Sequence, residues 1–377
     1  MAYLFLALGL AALIYQILAL LGLAHFFGAP LSLPAVPSGP GVTIFKPLRG
    51  QDPFTRECLL SFLTQDYHPY QVLFGVAAPQ DPVLPLLEEL KQAFPNLKME
   101  ILICPDNLGL NPKVSTLRQL EPHALYDLLV IADADVKVGP DFLSSMVAAL
   151  TEPGVGLVTC PYQAGRAQTL GAVLEALTIA ADFIPSVVVA HYVEGVRFAL
   201  GATMAISRQT LSRVGGLAPL ADFLADDYQL GLKVAQAGLK VRLLPYAVQT
   251  LNPTMSLTAY LAHQLRWART YRACRPKGYL AYGITHALTY STAYFLASGP
   301  TPGALGLMAV TLLLRGTLAW FSERLCLKGE LPAAAFLLVP LKDFLAFGLW
   351  LLSFLGRRVI WQDTPFKITP DGKLTPL

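Results

Sequence analysis

The sequence predicts an α/β protein: a mostly parallel sheet with flanking helices, bounded at both ends by transmembrane helices. Three observations predict it. Of the 377 residues, 54% are hydrophobic and only 14% charged, against about 25% charged in ordinary soluble domains, so part of the chain must lie in lipid. Between residues 41 and 278, short apolar runs alternate with helical spacing, Pro, Gly and charge, as in strand–helix units with right-handed crossovers. Finally, the apolar run Leu128-Leu129-Val130-Ile131 ends in Asp133-Ala134-Asp135. Period-2 geometry places both carboxylates on one side of a buried strand's carboxyl end, where open α/β sheets bind ligands.

The elements follow in order. Residues 1–28 form an N-terminal transmembrane anchor: from Tyr3 onward the run carries no Asp, Glu, Lys or Arg. It is long enough to cross a bilayer and lacks the basic start of a cleaved signal peptide. Residues 29–40 are a proline-rich linker that cannot continue the helix. Residues 41–277 make the globular domain. Its first strand, 42–45, leads into Lys46-Pro47-Leu48-Arg49-Gly50, and residues 61–65 end a helix. A second strand, 71–77, is followed by Asp81, a helix over 83–94 and a third strand, 99–104. Gly109-Leu110-Asn111-Pro112-Lys113 then opens a helix before the central strand.

Residues 171–192 are apolar apart from Glu175 and Asp182 and are interrupted by Pro185. They read as a helix pair lying against the bilayer or lining a lipid-entry groove, with a buried core helix as the alternative. Glu175 and His191 are weak candidates for contact with a lipid headgroup. A strand over 198–207, a Gly215-Gly216 turn, a helix over 223–237 opening with Asp226 and Asp227, and a strand over 241–244 follow. Leu257–Cys274 is an amphipathic helix bearing His263, Arg266, Trp267, Arg269 and Arg272. Residues 278–377 are C-terminal membrane segments (279–298, 303–321 and 331–355) and a short tail. The last segment contains Pro340, Lys342 and Asp343, so part of it faces protein or water.

Arginines 266, 269, 272 and 275 and Lys277 precede the first of these segments, whereas 298–303 is uncharged. The positive-inside rule then puts the globular domain in the cytoplasm. Three C-terminal spans would leave Arg357 and Arg358 outside, so a span and a re-entrant turn at Pro340 both stay open for the third segment. A net charge of +3 is too small to indicate a nucleic-acid partner. The five cysteines are odd in number and form no CxxC, which points to reduced thiols in a cytosolic domain rather than to disulfides or zinc.

Chemistry concentrates in a few places. Asp133 and Asp135 are hard oxygen donors suited to Mg²⁺ or Mn²⁺ carrying a diphosphate, the alternative being two solvated acids at a strand end. Asp226 and Asp227 are either catalytic or helix N-caps. Arg266 suits bidentate binding of phosphate, and Arg269, Arg272 and Arg275 suit anionic lipid headgroups.

The order Asp81, Asp133-x-Asp135, Asp226-Asp227-Tyr228 and His263-x-x-Arg266-Trp267, with the Lys46–Gly50 and Gly109–Lys113 stretches, 155–158 and Gly215-Gly216-Leu217, resembles the ceramide glucosyltransferase family and its bacterial lipid-modifying relatives. The resemblance covers nearly the whole chain and implies a GT-A fold. It implies that Asp81 contacts the uracil or ribose of a UDP-sugar donor and that Lys113 meets nucleotide or diphosphate. Asp133 would contact ribose or metal, and Asp135 would bind Mg²⁺ or Mn²⁺ directly. Asp227, which precedes an aromatic residue as in the family pattern, would be the general base. Arg266 would clamp the diphosphate and Trp267 wall the pocket. His263 stands where the family has Gln or Arg, a departure that still leaves a hydrogen-bond donor. The implied activity is inverting transfer of a hexose, expected to be glucose, to the hydroxyl of a membrane lipid, expected to be ceramide. Alternatives are UDP-GlcNAc-dependent transfer to another lipid, as in the hopanoid-associated branch, a processive polysaccharide synthase, and a non-catalytic lipid-binding partner.

Overall fold

The computed structural model describes residues 1–28, 38–361 and 364–377. Most of the expected linker, 29–37, lies outside the described residues. Residues 38–40 belong instead to the first strand, so the globular domain begins slightly earlier than the composition suggests.

Seven strands form the central sheet: β1 (Ser38–Leu48), β2 (His68–Val76), β3 (Lys98–Ile103), β4 (Leu128–Ala132), β5 (Val155–Thr159), β6 (Thr203–Ser207) and β7 (Lys240–Leu243). Their spatial order is β3-β2-β1-β4-β6-β5-β7. All neighbours are parallel except β6, which runs antiparallel to both β4 and β5. The chain steps outward from β1 to β2 and β3, then returns to place β4 on the other side of β1. That reversal opens a crevice at the carboxyl ends of β1 and β4. Phe45 pairs with Ile131, so Lys46 on one strand and Asp133 beyond the other leave the sheet side by side.

Continuous apolar runs make β1, β2 and β4 buried strands, and the core lies on both faces of the sheet. All five cysteines are free thiols. A second, three-stranded sheet of Val136–Lys137, Val248–Thr250 and Tyr162–Ala164 flanks the crevice and carries Tyr162 to its wall.

The predicted helix pair is one continuous helix, Leu170–Glu194, widened by a π-turn at Ile179–Phe183 just before Pro185. The wider turn frees the backbone carbonyl that a proline ring would otherwise strike. Most of this helix is buried inside the protein. Among the described residues, four helices are long and apolar enough to cross a membrane: Ala2–Gly28, Leu170–Glu194, Pro302–Cys326 and Ala333–Ser353. The expected segment 279–298 is instead broken into Pro276–Tyr282, a 3₁₀ turn at Gly283–Thr285, and Ala287–Ser298. The N-terminal helix packs on Pro302–Cys326 and Leu170–Glu194 through small residues. A Cβ added to Gly9 would stand 3.2 Å from Leu307, and one on Gly22 3.3 Å from Val188.

The C-terminus has two further features, of which the sequence reading left the first open and did not foresee the second. The third apolar segment begins by packing Ala335 and Val339 on Ala176, Leu177 and Ala181. It ends beside Leu257–Cys274, where Trp350 donates to the Tyr279 carbonyl at 3.1 Å and Arg272 to that of Gly356. Both of its ends thus touch elements packed against the globular domain. The tail is a three-stranded antiparallel sheet, Arg358–Trp361, Thr364–Ile368 and Leu374–Pro376. It docks by Leu374 N–H to the Asp222 carbonyl at 2.7 Å and buries Val359, Phe366, Ile368 and Leu374 with Leu224. Each such side chain contributes roughly 1.5–3 kcal/mol.

Candidate active site

The crevice is built on Lys113. Asn111 caps the following helix by accepting from Val114 N–H at 3.0 Å, and Pro112 occupies the first turn, where its missing N–H costs nothing. This start aims Lys113 across the crevice, 2.6 Å from Asp133 and 3.7 Å from Asp226. Asn111 Nδ2 also donates to the Phe223 carbonyl at 2.8 Å, which fixes the loop ahead of Asp226. Lys46, wholly buried, donates to the Asp133 carbonyl and lies 4.2 Å over the Phe62 ring.

Asp226 and Asp227 open the helix Asp226–Gln236, yet neither is its N-cap; that position is Ala225. Asp227 accepts from Tyr228 N–H at 2.7 Å, and its other oxygen faces Gly201 so closely that a Cβ there would stand 2.9 Å away. The small residue is what admits the carboxylate to the crevice.

Electrostatics follow from crowding. Burial and then the neighbouring charge of Asp226 push the Asp227 carboxyl up to about 7, although Lys113 pulls the other way. Burial and Asp133 raise Asp135 to about 6, with Lys46 opposing. Burial lowers Lys46 to about 8. It also acts to lower Lys113, but Asp133, Asp226 and Asp227 outweigh it and hold that ammonium above its ordinary value. Two lysines stand against four aspartates, a formal charge of −2 when every group is ionised, and the raised carboxyls are the response to that excess.

The second half of the site is the helix Leu257–Cys274, whose N-cap Ser256 accepts from Ala259 N–H at 3.1 Å. Spacings of three and four place His263, Arg266, Trp267 and Thr270 on one face. His263 Nδ1 lies 3.0 Å from the buried Glu175, and Gln264 donates to the other oxygen of that carboxylate at 2.7 Å. Trp267 joins an aromatic wall with His263 (4.7 Å between centroids), Phe183 (5.4 Å), Tyr271 (5.9 Å) and Tyr162 (6.5 Å). Arg266 forms no side-chain hydrogen bond or ion pair among the described residues. Burial and then the charges of Tyr271, Glu175, Asp227 and Asp133 hold the Tyr162 hydroxyl in its neutral form. Tyr162, on the small flanking sheet, thus stands in the aromatic wall within the field of the Asp133 and Asp227 carboxylates.

The structure thus brings Lys113, Asp133, Asp135 and Asp227 together, with His263, Arg266 and Trp267 across the aromatic wall. Asp81 stands apart on the same sheet edge. Its carboxylate accepts from Gly50 N–H at 3.0 and 2.9 Å and from Val83 N–H at 3.0 Å, tying the loop after β1 to the loop after β2. Sequence reasoning gave Glu175 only a headgroup contact and did not foresee its pairing with His263. It named Lys46 only within the Lys46–Gly50 stretch, without a role of its own, and passed over Tyr162 and Phe183, which read as ordinary strand and core residues. His191 packs its ring against Phe26 of the N-terminal helix, away from the cleft. Arg269, Arg272 and Arg275 are partly occupied by the Arg358 carbonyl, the Gly356 carbonyl and Glu194 respectively.

The family model described as glycosyl transferase family 21 matches residues 4–374. The chain belongs to that family. This glycosyl transferase family 21 member is similar to ceramide glucosyltransferase 3 of Caenorhabditis elegans, 23% identical over 350 residues that span 89% of this chain and 74% of the relative. Ceramide glucosyltransferase of Komagataella phaffii is 33% identical over a shorter stretch, 39% of this chain and 30% of that one. Among solved structures, the mannosyltransferase PcManGT of Pyrobaculum calidifontis, in complex with GDP-Man and Mn²⁺, superposes with a TM-score of 0.54 at 22% identity. The match covers 94% of this chain and 97% of that one. These findings bear out the family and GT-A fold expected from the motifs: the protein is a glycosyltransferase.

Proposed function

We propose that this glycosyltransferase moves a hexose from a UDP-sugar to the hydroxyl of a membrane lipid, with glucose and ceramide as the donor sugar and acceptor. The observation that carries the reading is the cluster around Lys113. Its four aspartates outnumber two lysines at the crevice between β1 and β4, which opens toward an aromatic wall backed by apolar helices. The names of the curated relatives support the same sugar and acceptor.

Asp227 is the base. Its raised pKa lets it take the acceptor's hydroxyl proton near neutrality, while the hydroxyl oxygen attacks the anomeric carbon and the bond to the UDP β-phosphate oxygen breaks on the opposite face. The product is β-linked. Lys113 and Arg266 offset charge on the departing diphosphate, and Trp267, Phe183 and Tyr162 wall the sugar. Asp81 shapes the edge on which the nucleoside lies and keeps lone pairs for it.

No group of three or more His, Cys, Asp or Glu side chains that could hold a metal occurs among the described residues. Asp133 and Asp135 alone fit Mg²⁺ or Mn²⁺, which take their remaining ligands from water and phosphate, and the uncompensated charge of the cluster calls for a cation. When bound, the ion would neutralise the leaving diphosphate.

In this reading the globular domain faces the cytoplasm, which the charge pattern supports. Arg266 to Lys277 precede the first C-terminal segment, and the docked C-terminal sheet keeps Arg357 and Arg358 on the domain's own side. The third apolar segment then lies along that face without crossing. Incubating the purified enzyme with a panel of UDP-sugars and ceramide, with products identified by mass spectrometry, tests the reading. A hexosylceramide is the expected product; UDP-sugar hydrolysis with no lipid product from any donor would remove the lipid acceptor.

A further inference from the structure

Between the end of Leu257–Cys274 and the C-terminal sheet lies a cavity of about 320 Å³, lined by Arg269, Leu355, Arg357, Arg358, Lys367 and Leu377. Among the described residues, no Asp or Glu side chain lines it. Even if the α-carboxylate of Leu377 offsets one charge, three positive charges remain. Arg269 Nε is buried without a hydrogen-bond partner, while its Nη1 holds the Arg358 carbonyl. Arg357, Arg358 and Lys367 form no ion pair among the described residues. An unpaired guanidinium nitrogen among free cations is a receptor for phosphate oxygens.

The surroundings distinguish a lipid from a soluble anion. Beside the cavity, Leu351, Leu352, Phe354, Leu355 and Ile360 are 48%, 48%, 42%, 79% and 68% exposed. Large apolar side chains at that exposure suit acyl chains, and the cations beside them suit the headgroup level of a bilayer. We propose that this cavity binds the phosphate headgroup of an anionic membrane lipid, separately from donor and acceptor.

Occupancy would act on the active site through the sheet. Arg269 and Arg272, on the one to two turns that follow Arg266 and Trp267, hold the Arg358 and Gly356 carbonyls. On the other side, Lys373 bridges to Phe223, whose carbonyl accepts from Asn111 ahead of Lys113. A lipid that pins Leu355–Arg358 and Lys367 therefore steadies both walls of the cleft. The proposal rests on the membrane reading of the chain but not on the identity of sugar or acceptor.

The test uses the full-length enzyme in nanodiscs of phosphatidylcholine, with or without phosphatidylglycerol. Retained lipid is counted by native mass spectrometry and turnover is assayed in parallel. Wild type is expected to retain phosphatidylglycerol and to turn over several-fold faster with it. The variant Arg357→Gln/Arg358→Gln/Lys367→Gln should lose that retention and stimulation, at about fivefold in affinity per charge, while its turnover in pure phosphatidylcholine stays unchanged. Equal retention by wild type and variant overturns the site. Displacement of the lipid by millimolar inorganic phosphate, but not by chloride of matched ionic strength, reassigns the cavity to a soluble anion and overturns the lipid reading. A variant inactive even in phosphatidylcholine, yet folded by thermal melt, also overturns it, since the residues would then serve catalysis directly. A wholly inactive wild type would speak against the proposed sugar and acceptor, while lipid retention would still report on this cavity.

Discussion

The chain holds two buried charge clusters that are built oppositely. In the apolar helices, Arg315 donates to Asp343 at 2.8 and 2.6 Å, to Asp182 at 2.7 Å, and to Gln16 and the Ala181 carbonyl at 3.0 Å. Lys342 sits 2.5 Å from Asp182 and 2.6 Å from Asp343. Two cations meet two carboxylates, and the Arg315 donors are occupied. In the crevice, two lysines face four aspartates, the carboxyl pKa values of Asp135 and Asp227 rise, and Arg266 is left unengaged. A saturated, neutral cluster fixes the Gln16, Asp182, Arg315 and Asp343 helices against each other. An unsaturated, negative one is poised for a cation, a diphosphate and a proton.

The most direct way to break this comparison is removal of divalent metal. Dialysis against EDTA should abolish transfer, and Mn²⁺ or Mg²⁺ should restore it; full activity after chelation, with metal content checked by mass spectrometry, would show the negative cluster needs no ion. Next, Asp227→Asn should lower kcat by roughly 10²–10⁴-fold with UDP-sugar affinity by calorimetry nearly kept. Turnover within a few-fold of wild type would move the base elsewhere.

Arg315→Met sharpens the other side. It strands buried carboxylates and should cost about 3–5 kcal/mol of stability, read as a lowered melting temperature in detergent. Pairing it with Asp343→Leu should recover much of the loss, because Lys342 and Asp182 remain matched. If the single variant melts like wild type, the cluster is not a structural clamp.

Glu175→Gln removes the carboxylate that faces His263 Nδ1 and accepts from Gln264. It should reduce kcat/KM about tenfold, as for loss of the charge-assisted hydrogen bond from Gln264; an unchanged value would make that carboxylate incidental. The smallest effect is a shift in pH profile. A carboxylate base works only deprotonated, so kcat/KM should fall as pH drops through about 7. Asp226→Asn removes a neighbouring negative charge and should move that midpoint down, whereas an upward move would contradict the assigned repulsion.

Much of the fold was legible because its signals are local. Leu257–Cys274 appears with the bounds that its periodicity predicts, and the Asp133-x-Asp135 strand end lies where buried apolar patterning puts it. The C-terminal sheet was not read, although Phe366-x-Ile368 alternates and Thr369-Pro370-Asp371-Gly372 is a turn signal; strands this short following a long apolar run are overshadowed by it. The break at Gly283–Thr285 was missed because an average over twenty residues hides a single 3₁₀ turn.

By itself the sequence determined which residues carry charge, which segments are apolar, and the order of the acidic motifs, since these depend on residue type and on spacing along the chain. Tertiary structure alone decided that β4 returns beside β1 to open the crevice, that Glu175 meets His263 across 88 positions of chain, and that Asp182, Arg315 and Asp343 neutralise one another. Those outcomes depend on long-range packing and on the charge balance of groups brought together in space, and no local pattern encodes which partners will meet.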